Sequence, residues 1–177
     1  MKSSILYIGN KLSKNGNTIT SIETLGLLLE NEGYTLYYAS SKENKIFRLT
    51  EMLYKTIKYR NKVDYVLIDT YSTLNFWYAF LVSQLCRMLS IKYITKLHGG
   101  NLPNRLKKNP ILCKMIFKNA YKNIAPSGYL LEAFHNKGYA PILFIPNTIE
   151  IANYQFKLRQ DSIPKILWVR SLSSIYN

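Results

Sequence analysis

Six short apolar runs, each separated from the next by a stretch with helical spacing, set the strongest limit on what this 177-residue chain can fold into. Ile5-Leu6-Tyr7-Ile8-Gly9 reads as a strand closing in turn residues. A polar loop over 10–17 leads to a helix in which Thr20 and Glu23 have capping-box spacing and Ile19, Ile22, Leu25 and Leu29 recur at three or four residues. Gly33 supplies the stop. Residues 36–39 make a second strand. Ile46, Leu49, Leu53 and Ile57 then form an apolar helical stripe that leaves Lys45, Arg48, Lys55 and Lys58 outside. Tyr65-Val66-Leu67-Ile68 is continuously apolar, as a strand covered on both faces is. The stretch 74–89 has helical length and is apolar almost all round, with Phe76, Trp77, Tyr78 and Phe80 expected in the core. A fourth strand over 93–97 ends at His98-Gly99-Gly100, and a basic helix over about 104–120 follows. Ile124-Ala125 is a fifth strand, Ser127 caps the next helix, Gly138 ends it, and 142–145 is a sixth strand closed by Pro146-Asn147. Strands alternating with helices at this spacing predict a Rossmann-like, doubly wound α/β domain with a parallel sheet, over 1–152.

The remainder breaks the pattern. Residues 153–164 are polar and charged, as a linker is. Ile166-Leu167-Trp168-Val169 is a lone apolar run, so 165–177 reads as the first strand of a second domain that this chain otherwise lacks. A last strand added to the first sheet is the competing reading.

Composition narrows the class. At 47% hydrophobic and 14% aromatic, the chain can bury a core, which excludes disorder. Its net charge is +14, and no acidic residue lies between Asp69 and Glu132, a stretch with nine basic ones. Such a field attracts phosphates, whether on nucleic acid, nucleotides or lipid. Cys86 and Cys113 have no Cys or His at ligand spacing, so no zinc site and no disulfide framework is expected. The apolar core near the N-terminus is too short for a signal peptide. The apolar stretch 74–86 is interrupted by Asn75, Ser83 and Gln84 and falls short of the roughly 20 residues a span needs. A cytoplasmic chain follows, with room for a membrane-facing surface.

Ligands of doubly wound sheets bind outside the carboxyl ends of strands, where the strand order reverses. With the order 3-2-1-4-5-6, that point lies between strands one and four. There the loop with Asn15, Gly16 and Asn17 would face His98, Gly99 and Gly100. Backbone N–H groups of the first loop can approach an anion, and the glycine pair lets a ligand come close to the backbone. The dinucleotide fingerprint, the P-loop and the G-x-S-x-G elbow are all missing. Asp69 ends strand three, far from this expected point, and is assigned to hydrogen bonding within its own loop. His135 reads as a surface or capping residue.

Ile5–Gly9 with the Asn15-Gly16-Asn17 loop, Lys96-Leu97-His98-Gly99-Gly100, Ala125-Pro126-Ser127 and Ile145-Pro146-Asn147-Thr148-Ile149 together resemble the N-terminal half of a GT-B glycosyltransferase of family 4. The resemblance implies a hexosyltransferase-type enzyme, retaining and independent of metal. It would move a sugar from a nucleotide-sugar, its co-substrate, to a glycan, polysaccharide or lipid-linked acceptor, with no other cofactor. By motif, His98 would be the catalytic group near the donor sugar, and Gly16, Gly99 and Gly100 would approach the substrates. Arg105, Ser127 and Asn147 would complete the binding set, and an anionic membrane surface would be a partner. The family's donor-binding residues lie in the second domain, so this chain alone is expected to be inactive. The alternative is a non-catalytic domain that binds a phosphorylated ligand or nucleic acid, although no nucleic-acid-binding pattern is visible.

Overall fold

A computed structural model describes residues 2–12, 20–39, 41–147, 155, 156 and 158. Six parallel strands form one sheet: β1 (Ser4–Ile8), β2 (Thr35–Ala39), β3 (Tyr65–Thr70), β4 (Tyr93–Leu97), β5 (Lys122–Ala125) and β6 (Ile142–Phe144). Between them run α1 (Ser21–Asn31), α2 (Lys45–Tyr59), α3 (Asn75–Met88), α4 (Leu102–Lys108), α5 (Pro110–Phe117) and α6 (Gly128–His135). The doubly wound α/β architecture is as the sequence predicts.

Local signals act where they were expected. Thr20 caps α1 in a capping box with Glu23, whose carboxylate accepts from the Thr20 N–H at 2.9 Å. Ser127 caps α6 by accepting from the Leu130 N–H. Gly33 turns the chain after α1 at φ +85°, a conformation that glycine adopts without steric cost. The basic helix expected as one piece is two, because the ring of Pro110 starts a new helix at its first turn after Asn109.

The strand order differs from the expectation. It is β2-β1-β3-β4-β5-β6, so β3 lies beside β1, with Tyr7 level with Leu67 and Ile8 with Ile68. The reversal therefore falls between β1 and β3, not between β1 and β4. Asp69, at the end of β3, is consequently next to the switch point.

Among the described residues the two faces of the sheet are unequally covered. Leu6, Ile8, Val66, Ile68, Tyr93 and Leu97 point into a large core shared with α2 to α6. On the opposite face Tyr7 and Leu67 meet Ile22 and Leu25 of α1, with Ile5, Leu36, Tyr38 and Ile94 around them. Full burial of each large apolar side chain contributes about 1.5–3 kcal/mol, so the first core dominates stability. Trp77 departs from the expected core cluster: Phe76 and Tyr78 are buried, but Trp77 stands half exposed on the outer side of α3. Residues 165–177, read as the start of a second domain, lie outside the described residues, as do all but three positions of the expected linker.

Candidate functional site

Asp69 is the centre of a buried polar cluster at the carboxyl end of the sheet. Strand alternation puts it on the α1 face with Leu67, and the register sets it level with Lys96 of β4. Its side chain has no exposed surface. Oδ1 accepts from the Tyr7 hydroxyl at 3.1 Å and lies 2.8 Å from Nε2 of His98. A carboxylate has only acceptors, so the hydrogen in the second contact belongs to Nε2, and in the tautomer this selects, Nδ1 is an acceptor. Oδ2 is buried with no hydrogen-bond partner among the described residues. The room for this carboxylate comes from Gly9, where a Cβ would stand 2.6 Å from Oδ2.

His98 is held on two sides. Asp69 fixes its Nε2 edge, and the Tyr71 ring stacks on its face at 4.6 Å between centroids and 15° between planes. Its side chain keeps 11% of its surface open. Lys96 completes the cluster, with its ammonium donating to the Ser21 hydroxyl at the start of α1. Burial pushes the Lys96 pKa below its usual value, and the Asp69 charge pulls in the opposite direction. Burial, with the Asp69 charge beside them, raises the phenols of Tyr7 and Tyr71 well above the ordinary tyrosine range. Both therefore stay neutral, Tyr7 donating to Asp69 and Tyr71 stacking on His98.

A polar cavity of about 180 Å³ opens beside this cluster, lined by Ser21, Thr24, Leu25, Lys96, His98 and Asn147. The Lys96–Ser21 bond shows that the start of α1 and the end of β4 meet across β3. His98 and Asn147 are thus brought together. Asn15, Gly16 and Asn17 lie outside the described residues. Gly99 and Gly100 are exposed after His98, and Gly99 has φ +79°, with open space where a Cβ would be. Arg105 is turned to the neighbouring loop: its Nε donates to the Ser72 carbonyl at 3.1 Å and its Nη1 to Asn109 at 2.9 Å. Ser127 is engaged as the cap of α6.

Asp69, Tyr7, Lys96 and Ser21 are the members that sequence reasoning missed. Asp69 was assigned to its own loop, but its partners are Tyr7 and His98. The signal lay in alternation: Asp69 and Lys96 both continue the inward parity of Leu67 and Ile94. Among the described residues no group of three or more His, Cys, Asp or Glu could hold a metal ion, and no helix is long and apolar enough to cross a membrane.

No family model and no curated protein matches the chain. Among solved structures it is similar to a response regulator receiver domain protein from Clostridium thermocellum, with 20% identity and a TM-score of 0.44, over 77% of this chain and 94% of that one. That neighbour is not a glycosyltransferase. The GT-B family membership is corrected accordingly, and so are the hexosyltransferase activity and the polysaccharide role. The nucleotide-sugar, glycan or glycolipid and anionic-membrane partners fall with them.

Proposed function

We propose that the chain carries a small-ligand site at the carboxyl end of β3 and β4, in which His98 meets the ligand and Asp69 positions His98. The observation that carries this reading is the 2.8 Å contact between His98 Nε2 and the fully buried Asp69 carboxylate. It fixes the tautomer and leaves Nδ1 as an acceptor for a ligand hydroxyl. Lys96 supplies a positive charge in the same cavity, so a ligand with an acidic group and a hydroxyl suits both. Tyr7 and Tyr71 brace the pair without contributing charge. The same reading keeps the chain in the cytoplasm, since Cys86 and Cys113 are free and buried thiols.

The chain has only two histidines, His98 and His135, so imidazole spectra assign readily. Titration of histidine-labelled protein with glycolate, which combines a carboxylate with a hydroxyl, is expected to shift His98 saturably and leave the exposed His135 unmoved. Lys96→Met should abolish saturation of the His98 shift. Equal, non-saturating shifts of both rings would remove the proposal.

A further inference from the structure

The polar cavity continues into a second, apolar groove. This groove has a volume of about 480 Å³ and shares Leu25, Lys96 and Asn147 with the first. Its floor is the sheet face made by Leu67, Ile94 and Ile124, with Leu25 and Leu29 of α1 along one side and Ile145 at its rim. Those side chains come from β3, β4, β5 and the end of β6 by the same alternation that puts Asp69 and Lys96 at the site. Lys96 stands at the junction. Its methylene stem runs with the apolar lining while its ammonium is in the polar cavity, as long cationic side chains arrange themselves between two media.

Resting on the site proposed above, we infer that its ligand is an amphiphile: an unbranched aliphatic 2-hydroxycarboxylate with its carboxylate beside Lys96, its hydroxyl at His98 and its tail along Ile94 and Ile124, the carboxylate and tail being the parts that simple fatty acids probe. Charge complementarity selects the head, because the ammonium is the cationic group shared by the two cavities. Shape selects the tail. From the level of Lys96 to that of Tyr65 the groove follows about four residues of strand, roughly 13 Å at about 3.3 Å per residue, which suits a tail of about ten carbons. The groove is half open, so each added methylene should strengthen binding by about two- to threefold, below the roughly fourfold of complete burial.

The test uses the full chain and the series acetate, hexanoate, octanoate and decanoate, followed by methyl spectra of the isoleucines and by calorimetry. Saturable binding that tightens by about two- to threefold per methylene is expected, with Ile94 and Ile124 methyls shifting alongside His98. Decan-1-ol should bind more weakly than decanoate by the same factor that Lys96→Met costs decanoate. Ile94→Ala should weaken decanoate and leave glycolate unchanged, since it shortens the tail lining without placing a charge beside Lys96. Affinity that does not vary with tail length, while glycolate still binds at His98, overturns this inference and leaves the site standing. Failure of both glycolate and decanoate overturns both. Decanoate that finds the Ile94 and Ile124 methyls already shielded assigns the groove to residues 148–177 or to a second copy of the chain, and overturns the proposal.

Discussion

Gly9→Ala tests the cluster through its most confined point. A Cβ there would lie 2.6 Å from Asp69 Oδ2, 3.2 Å from Asp69 Cγ and 3.3 Å from Cβ of Ile22. Gly9 does not have the left-handed φ of Gly33 or Gly99, so the alanine backbone is tolerated and the cost is steric. Ordinary contact begins near 3.4 Å, so the carboxylate must retreat by about 0.8 Å. A retreat of that size along the bond would take the His98–Asp69 distance from 2.8 Å past the limit of a hydrogen bond. Inserting a methyl into a packed site costs about 1–3 kcal/mol. Replacing glycine returns about 0.4–1 kcal/mol through the unfolded chain, leaving a net loss centred on about 1.3 kcal/mol. Urea unfolding measures the loss, and the His98 Nε2–H resonance reports the broken contact. An alanine variant with wild-type stability and an unmoved resonance would show that Asp69 is not confined as described.

The remaining predictions concern the large core and the alkaline limit. Asn123 is fully buried, accepting from the Thr95 hydroxyl at 2.6 Å and donating to the Phe117 carbonyl at 3.0 Å. Asn123→Ala should destabilise by about 2–3 kcal/mol in urea unfolding, and adding Thr95→Val should cost less than the separate losses combined. Equal stability of Asn123→Ala and wild type would refute that network. Burial pushes the Cys86 thiol from 9.0 up to about 12 and that of Cys113 up to about 11, and raises the phenols of Tyr7, Tyr71 and Tyr93 from 10.0. Folded values above unfolded ones give stability that is complete below pH 9 and is lost as pH rises through the folded values. Lys96, shifted down, works against this loss between its folded value and 10.5. The net expectation is a fall in unfolding free energy that begins near pH 9, with both thiols inert to Ellman's reagent until unfolding. Native-state thiol reaction at pH 8, or stability unchanged to pH 11, would contradict it.

Helix ends and strand positions were legible because they depend on neighbours in sequence. Thr20 and Glu23 need only each other, Gly33 needs only its own φ, and Ser127 needs the N–H three residues on. Strand order was not legible. The same alternation of elements fits an arrangement with β3 outside β2 and one with β3 beside β1. Only long-range packing chooses between them. That single difference moved Asp69 from the periphery to the switch point. Lys96 is one of the nine basic residues of the acid-free stretch, and its position two residues after Ile94 marks it as facing the same way. Arg105 shows the converse: a basic residue after a glycine pair suggests a ligand, yet its guanidinium braces the loop at Ser72. A charged residue's partners cannot be read from spacing when they lie on other strands.

Among the described residues, α1 is the helix on the face that carries Asp69, Lys96 and Tyr7, whereas the opposite face is held by α2 to α6. Lifting this one 11-residue helix uncovers the cluster and leaves the other layer intact. Entry to the interior and survival of the scaffold are therefore separate events. The molecule can breathe on one side while its spine stays assembled on the other.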